Sequence, residues 1–294
     1  MFDYMFSERY TSAVILGIIF GLVARLFTLQ TDYRQYPTYP HGRIIHISLG
    51  IIAAALGAVA VPALFEKDYT AVTFLTLAAQ QFREVRNMER ETLTKLDEME
   101  LVPKGPVYIE GIAMVFEGRN YLAIMSALVT SLLTVLFNFY IGVFGGLLSI
   151  LLSRLFKSGK SLSEIAEVET ADVRVDGFNI YVGDIYIMNV GLKTSQEAIA
   201  KHGIGIIYKP KNQNGRVTLS NMGQRQAILH DMSTVLGAYR DSGEPSLVPL
   251  AKLDLKDGRL GVLLLVQNAD LEKALSSAKQ IPLLESAVRM PSEA

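Results

Sequence analysis

The sequence predicts a multi-pass α-helical membrane domain of about five spans followed by a soluble α+β domain. Half of its residues are apolar against 19% charged, and the mean hydropathy of +0.28 is high for a water-soluble chain of 294 residues. The long apolar runs are confined to residues 1–156. From residue 157 to 294 they give way to short β-branched and aromatic runs bounded by Gly, Asn or Asp, mixed with amphipathic stretches. Strands cluster early and late in that part instead of alternating strictly with helices, which favours α+β over α/β.

Residues 12–29, SAVILGIIFGLVARLFTL, match the length of a hydrocarbon core, with Arg25 near enough to one end to snorkel. No small-residue cleavage site follows this run, so it reads as a retained anchor. Residues 44–65 form a second span, rich in the Ala and Gly that allow close helix packing, with Pro62 near its end and His46 at its mouth. Residues 69–82 would rise only about 21 Å as a helix, short of an ordinary span. Residues 121–156 would rise about 54 Å, too long for one span. Asn138, Gly142 and the Gly145-Gly146 pair predict a tight hairpin there, giving spans at 121–137 and 139–156. Residues 106–117 are too short an apolar run to cross and are punctuated by Pro103, Gly105, Pro106 and Gly118, so they read as interfacial or re-entrant.

Charge placement decides the short run at 69–82. With the N-terminus outside and five spans, the cytoplasmic segments hold Arg34 and Arg43, then Arg83, Arg86, Arg90, Lys95 and Lys104, then Arg154, Lys157 and Lys160. Only Arg9 and Lys67 fall outside. That bias follows the positive-inside rule, makes 69–82 a span and puts the C-terminal domain in the cytoplasm of a cell-membrane protein. In that domain strands are expected at 173–175, 178–182, 185–190, 204–208, 217–219, 247–253 and 260–266. A helix opens at the capping-box pattern Thr194-x-x-Glu197 and stops at Gly203. A longer one covers 221–240, with Leu229, Met232, Leu236 and Tyr239 on one stripe, and a third covers 269–279 before Pro282.

Several function classes drop out. A net charge of −1 argues against nucleic acid as a partner. The absence of cysteine removes disulfides, thiolate nucleophiles and iron–sulfur clusters. His41, His46, His202 and His230 contain no His-Glu-x-x-His, and neither metal nor cofactor is expected. The run from Ser158 to Ser161 resembles the tail of a phosphate-binding loop, but Arg154 stands where its first Gly belongs. The basic stretch from Lys209 to Gly215 reads as a solvated hairpin loop.

The residues left to carry function are few. Glu110 is a carboxylate inside an apolar run, where it binds a cation, moves a proton or, more simply, pairs with a neighbour such as Arg119. It lies in the string Tyr108-Ile-Glu-Gly-Ile-Ala113, by which the chain resembles the YIEGIA family of membrane proteins. That resemblance runs through length and segment order as well. It implies a role in sporulation or spore-envelope assembly of endospore-forming bacteria and carries no catalytic assignment.

The triplet Asp241-Ser242-Gly243 resembles the signature of aspartic proteases, including a membrane-anchored protease of sporulation. In that chemistry two carboxylates share a proton and activate water, and a homodimer with Asp241 from each chain would complete the pair. The same triplet is an ordinary turn, and Arg240 replaces the apolar residue expected before the Asp. Two functions stay open: a dimeric membrane-tethered aspartic endopeptidase, or a non-enzymatic scaffold or regulator whose cytosolic domain binds a protein partner.

Overall fold

The computed structural model describes residues 7–32, 40–82, 84–153, 159–239, 249–267 and 269–289. The chain divides into two compact units, one of residues 1–90 with 112–157 and the other of 91–111 with 158–294. The C-terminal unit thus takes in a segment that lies between membrane-type helices in the sequence.

The first unit is helical. It is built from α1 (Glu8–Asp32), α2 (Pro40–Phe65), α3 (Tyr69–Phe82), the start of α4 (Glu84–Asp97), most of α5 (Pro106–Leu136) and α6 (Phe139–Ser153). Among the described residues, three helices are long and apolar enough to cross a membrane: Glu8–Leu29, Gly42–Phe65 and Pro106–Leu136. Two features bear on the five spans expected. The expected interfacial segment at 106–117 is the uninterrupted first part of α5, because Gly118 is accommodated within the helix instead of ending it. The helices α3 and α6 run to 14 and 15 described residues, shorter than those three.

Small residues bring these helices together. A Cβ on Gly57 of α2 would stand 2.2 Å from the Ile124 carbonyl oxygen of α5, and one on Gly21 of α1 2.8 Å from that of Ala123. The turn between α5 and α6 falls at Asn138, whose side chain accepts from the Ile141 amide at 3.0 Å. Gly142, Gly145 and Gly146, read as turn residues, lie instead inside α6, where they admit Thr134, Leu133 and Phe20. Arg25 does not snorkel. It is 1% exposed and donates to Asn120 Oδ1 at 3.0 Å and Thr28 Oγ1 at 3.2 Å, with its guanidinium 5.0 Å from the Phe116 ring.

The C-terminal unit has three layers. Its middle layer is an antiparallel sheet of order β1 (Ala166–Ala171), β5 (Gly203–Pro210), β7 (Leu260–Leu265), β6 (Leu250–Leu253). On one face lie the short helix α7 (Leu162–Ile165), α10 (Met222–Leu236) and α11 (Leu271–Gln280), against Ile204, Ile206, Tyr208, Val262 and Leu264. On the other face is a meander of β2 (Val173–Asp176), β3 (Asn179–Val182) and β4 (Ile185–Asn189), with α8 (Lys193–His202). There Ile180, Val182, Ile185 and Ile199 meet Ile207, Leu263 and Leu265. Alternate residues of β5 and β7 therefore enter two different cores, which is why these strands are continuous apolar runs.

Local chemistry departs from expectation in three places. Residues 217–219 are not a strand but part of α9 (Gln213–Ser220), which Asn212 caps by accepting from the Gly215 amide at 2.7 Å. That cap also replaces the solvated hairpin expected from Lys209 to Gly215. The N-cap of α8 is Leu192, and the Thr194 capping box does not form; the reciprocal box forms instead at Ser161 and Glu164, ahead of α7.

Candidate functional site

The residues around the start of α5 converge within the C-terminal unit. The last residue of α4, Asp97, accepts from the backbone amides of Lys104 at 2.6 Å and Gly105 at 3.1 Å, closing the connecting loop on itself. Gly105 sits at φ +87, and a Cβ there would stand 2.5 Å from Gln226 Nε2. Only glycine satisfies both demands. Pro106 then starts α5, a position where its missing N–H costs nothing.

The first turn of α5 leaves amide groups without intrahelical acceptors. Gln226, from α10, supplies one: its Oε1 accepts from the Tyr108 amide at 3.0 Å. A residue 118 positions away thus does the work of a local cap. Gln224, two residues earlier and fully buried, donates to the Pro282 carbonyl at 3.1 Å and accepts from the Leu284 amide at 2.8 Å. A Cβ on Gly111 would stand 2.4 Å from Ser286 Oγ, so the signature turn and the C-terminal segment pack closely.

Three ionisable groups complete the cluster. His230 Nδ1 lies 2.7 Å from the Val102 carbonyl oxygen, which can only accept, so Nδ1 carries the proton. Burial holds the imidazole below its ordinary value, with Lys104 acting in the same direction. Tyr108 is 1% exposed and meets the His230 ring edge-on at 6.4 Å. Asp231 is half-buried, and no hydrogen bond ties its carboxylate to the described residues. Burial pushes that carboxyl up to about 7, against the pull of Lys104. Its charge is felt at Tyr208, whose phenol burial raises well above the usual range. A carboxyl of this kind exchanges a proton near neutral pH, a property that clusters at functional sites.

The residues singled out from the sequence fall in different places. Glu110 is half-buried on the signature turn of α5. Arg119 is buried in the helical unit and donates to the Thr28 carbonyl at 3.2 Å. The two are nine residues apart on one continuous helix, about 13.5 Å along its axis and half a turn around it. Asp241, Ser242 and Gly243 lie outside the described residues. What frames them is described: the Tyr239 amide donates to the Leu265 carbonyl at 3.0 Å, and Leu250 pairs with Leu263. Sequence reading missed Asp97, Gln226 and Asp231; the available signal was polar residues interrupting the 221–240 helix beside its apolar stripe.

A family model described as YIEGIA protein matches residues 13–294. The uncharacterized protein YphB of Bacillus subtilis (strain 168) is 53% identical over 284 residues, covering 97% of this chain and 96% of that one. No solved structure matches.

Proposed function

The chain belongs to the YIEGIA family, and on that premise we propose that it is a membrane-embedded regulator of sporulation whose C-terminal domain binds a protein partner. One observation carries the mechanism. The signature string is where the chain passes from one unit to the other: Tyr108 to Gly111 fold with the C-terminal domain, whereas Ile112 and Ala113 fold with the helical unit. Both halves ride on a single helix. A partner that moves α10 acts through Gln226 on the first turn of α5, and a helix transmits such a displacement along its length.

The test is sporulation efficiency with Gln226→Ala and Gly105→Val at matched protein abundance, together with crosslinking from a surface position of the C-terminal domain. Reduced sporulation with retained abundance supports the reading. Full sporulation by both variants overturns the coupling, and an absence of any partner crosslink in sporulating cells overturns the regulator.

A second reading, a dimeric aspartic endopeptidase using Asp241, rests on the resemblance of Asp241-Ser242-Gly243 to the protease signature. Tyr239 and Leu250, the described residues that flank it, are both held against β7, at Leu265 and Leu263. Cleavage of a cytosolic protein, lost in Asp241→Asn, is the observation that selects this reading over the first.

A further inference from the structure

A cleft of about 810 Å³ opens where the two sheets of the C-terminal domain meet. We propose that it binds an extended basic segment of a protein partner, which adds as a strand beside β1. The proposal rests on the partner-binding reading above and names the partner's chemistry.

Three observations carry it. First, the walls are strand edges. In the described sheets β1 pairs with β5 alone and β2 with β3 alone. The chain turns from one edge to the other at Asp172, whose carbonyl accepts from the Gly183 amide at 2.9 Å. Residues 169–174 therefore line the cleft as one run that passes from edge to edge. An open edge offers the backbone donors and acceptors that strand addition uses.

Second, the floor is apolar and low. Gly203, Gly205 and Ile207 of β5 lie along it on the meander's side, and Gly205 has no room for a side chain, since its Cβ would stand 2.4 Å from the Ala171 carbonyl oxygen. One set of alternate side chains of an added strand would stand on the face of Ala171, beside the meander's core, and the other on the opposite face.

Third, the rim is acidic. Arg259 is held bidentately by Asp184 at 2.8 and 2.7 Å, with Asp257 bonded to it as well and Asp254 at 3.7 Å. Its guanidinium draws the Asp184 carboxyl below the usual range. Glu169 is matched by Lys209 at 2.7 Å, while exposed Asp172 adds another negative charge and Arg174 leans over the Tyr181 ring at 5.0 Å. With Asp254 and Asp257, which hold Arg259 from behind the lining, five carboxylates stand against three cations around the cleft. Charges on an edge strand repel another copy of the same edge. These admit a basic strand and reject an acidic one.

The experiment uses the full chain in detergent and a fluorescein-labelled dodecapeptide of alternating Lys and Val, read by anisotropy. Saturable binding that weakens with salt is expected, with no binding of the alternating Glu-Val peptide. Asp172→Lys should weaken binding about tenfold, whereas Glu91→Lys on α4 should leave it unchanged. The Lys-Val peptide with alternate backbone amides methylated should also bind about tenfold more weakly, since it cannot donate to an edge. Equal binding by Asp172→Lys or by the methylated peptide overturns the proposal, as does no saturable binding. Partner crosslinking in sporulating cells separates this from the wider reading: undiminished crosslinking by Asp172→Lys sinks the cleft alone, and none by the unaltered chain sinks the regulator.

Discussion

Gln226 Oε1 accepts the backbone hydrogen bond of Tyr108 at 3.0 Å, so a side chain of α10 caps the helix that carries the signature string. The amide belongs to a fully buried residue, and water cannot replace the lost acceptor without local opening. Gln226→Ala should therefore cost about 1–2 kcal/mol. Gln226→Glu keeps the acceptor and should cost less. Gly105→Ala should cost more than either, because it adds a left-handed strain to a Cβ 2.5 Å from Gln226 Nε2. Amide exchange of the peptide spanning 104–111 checks the order: Gln226→Ala must open that peptide faster than Gln226→Glu does.

Asp231 gives the domain a pH dependence of definite sign. Its ordinary value of 3.8 describes the unfolded chain, and burial raises it to about 7 in the folded one. The folded chain therefore holds this proton more tightly, so its contribution to stability is greatest below about pH 4, falls as pH rises to about 7, and is level above. Asp231→Asn removes the loss. Allowing for the side chain's partial exposure, the variant should gain about 2 kcal/mol at pH 8 and nothing at pH 4. Thermal unfolding of both chains across that range is the measurement. A Tm difference that does not grow with pH would show that Asp231 ionises freely.

The contrast between legible and illegible features is physical. The strands β5 and β7 are legible because both their faces are buried, which demands an unbroken apolar run. β1 is not, since its sequence AEVETA places charges on an exposed edge and has little of the composition of a strand. Gly145 and Gly146 carry an ambiguous signal: glycine marks a turn in water and a close helix crossing in lipid, and here the crossing prevails. Gln226 and Asp97 matter only through bonds to residues distant in sequence or across a loop, which no local pattern encodes.

The distribution of Lys and Arg predicts that Lys67 lies outside the cell and Lys95 and Lys193 inside. The chain has no cysteine, so single replacements at these positions report access cleanly. Lys67 sits at φ +53 in the turn between α2 and α3, where a replacement keeps a strain of about 1 kcal/mol already present. A membrane-impermeant maleimide should label Lys67→Cys in intact cells and reach Lys95→Cys and Lys193→Cys only after lysis. Labelling of Lys95→Cys in intact cells would overturn the topology.

Asp241 decides between regulator and endopeptidase through one substitution. Asn occupies turn positions about as readily as Asp and makes similar local hydrogen bonds, so Asp241→Asn preserves a turn. It cannot share a proton as one carboxylate of a dyad does. The frame that precedes and follows the segment, Tyr239 against Leu265 and Leu250 against Leu263, is made by backbone bonds that this substitution leaves intact. Loss of function in Asp241→Asn at normal abundance therefore reports chemistry and not folding. The regulator predicts full sporulation and full partner crosslinking for this variant. The endopeptidase predicts that cleavage falls by at least about a hundredfold while abundance and self-association are kept, the scale expected when a catalytic acid–base group is removed. Measured side by side at matched expression, cleavage and sporulation of Asp241→Asn must move together for the protease to stand, and intact sporulation leaves Asp241 a turn residue.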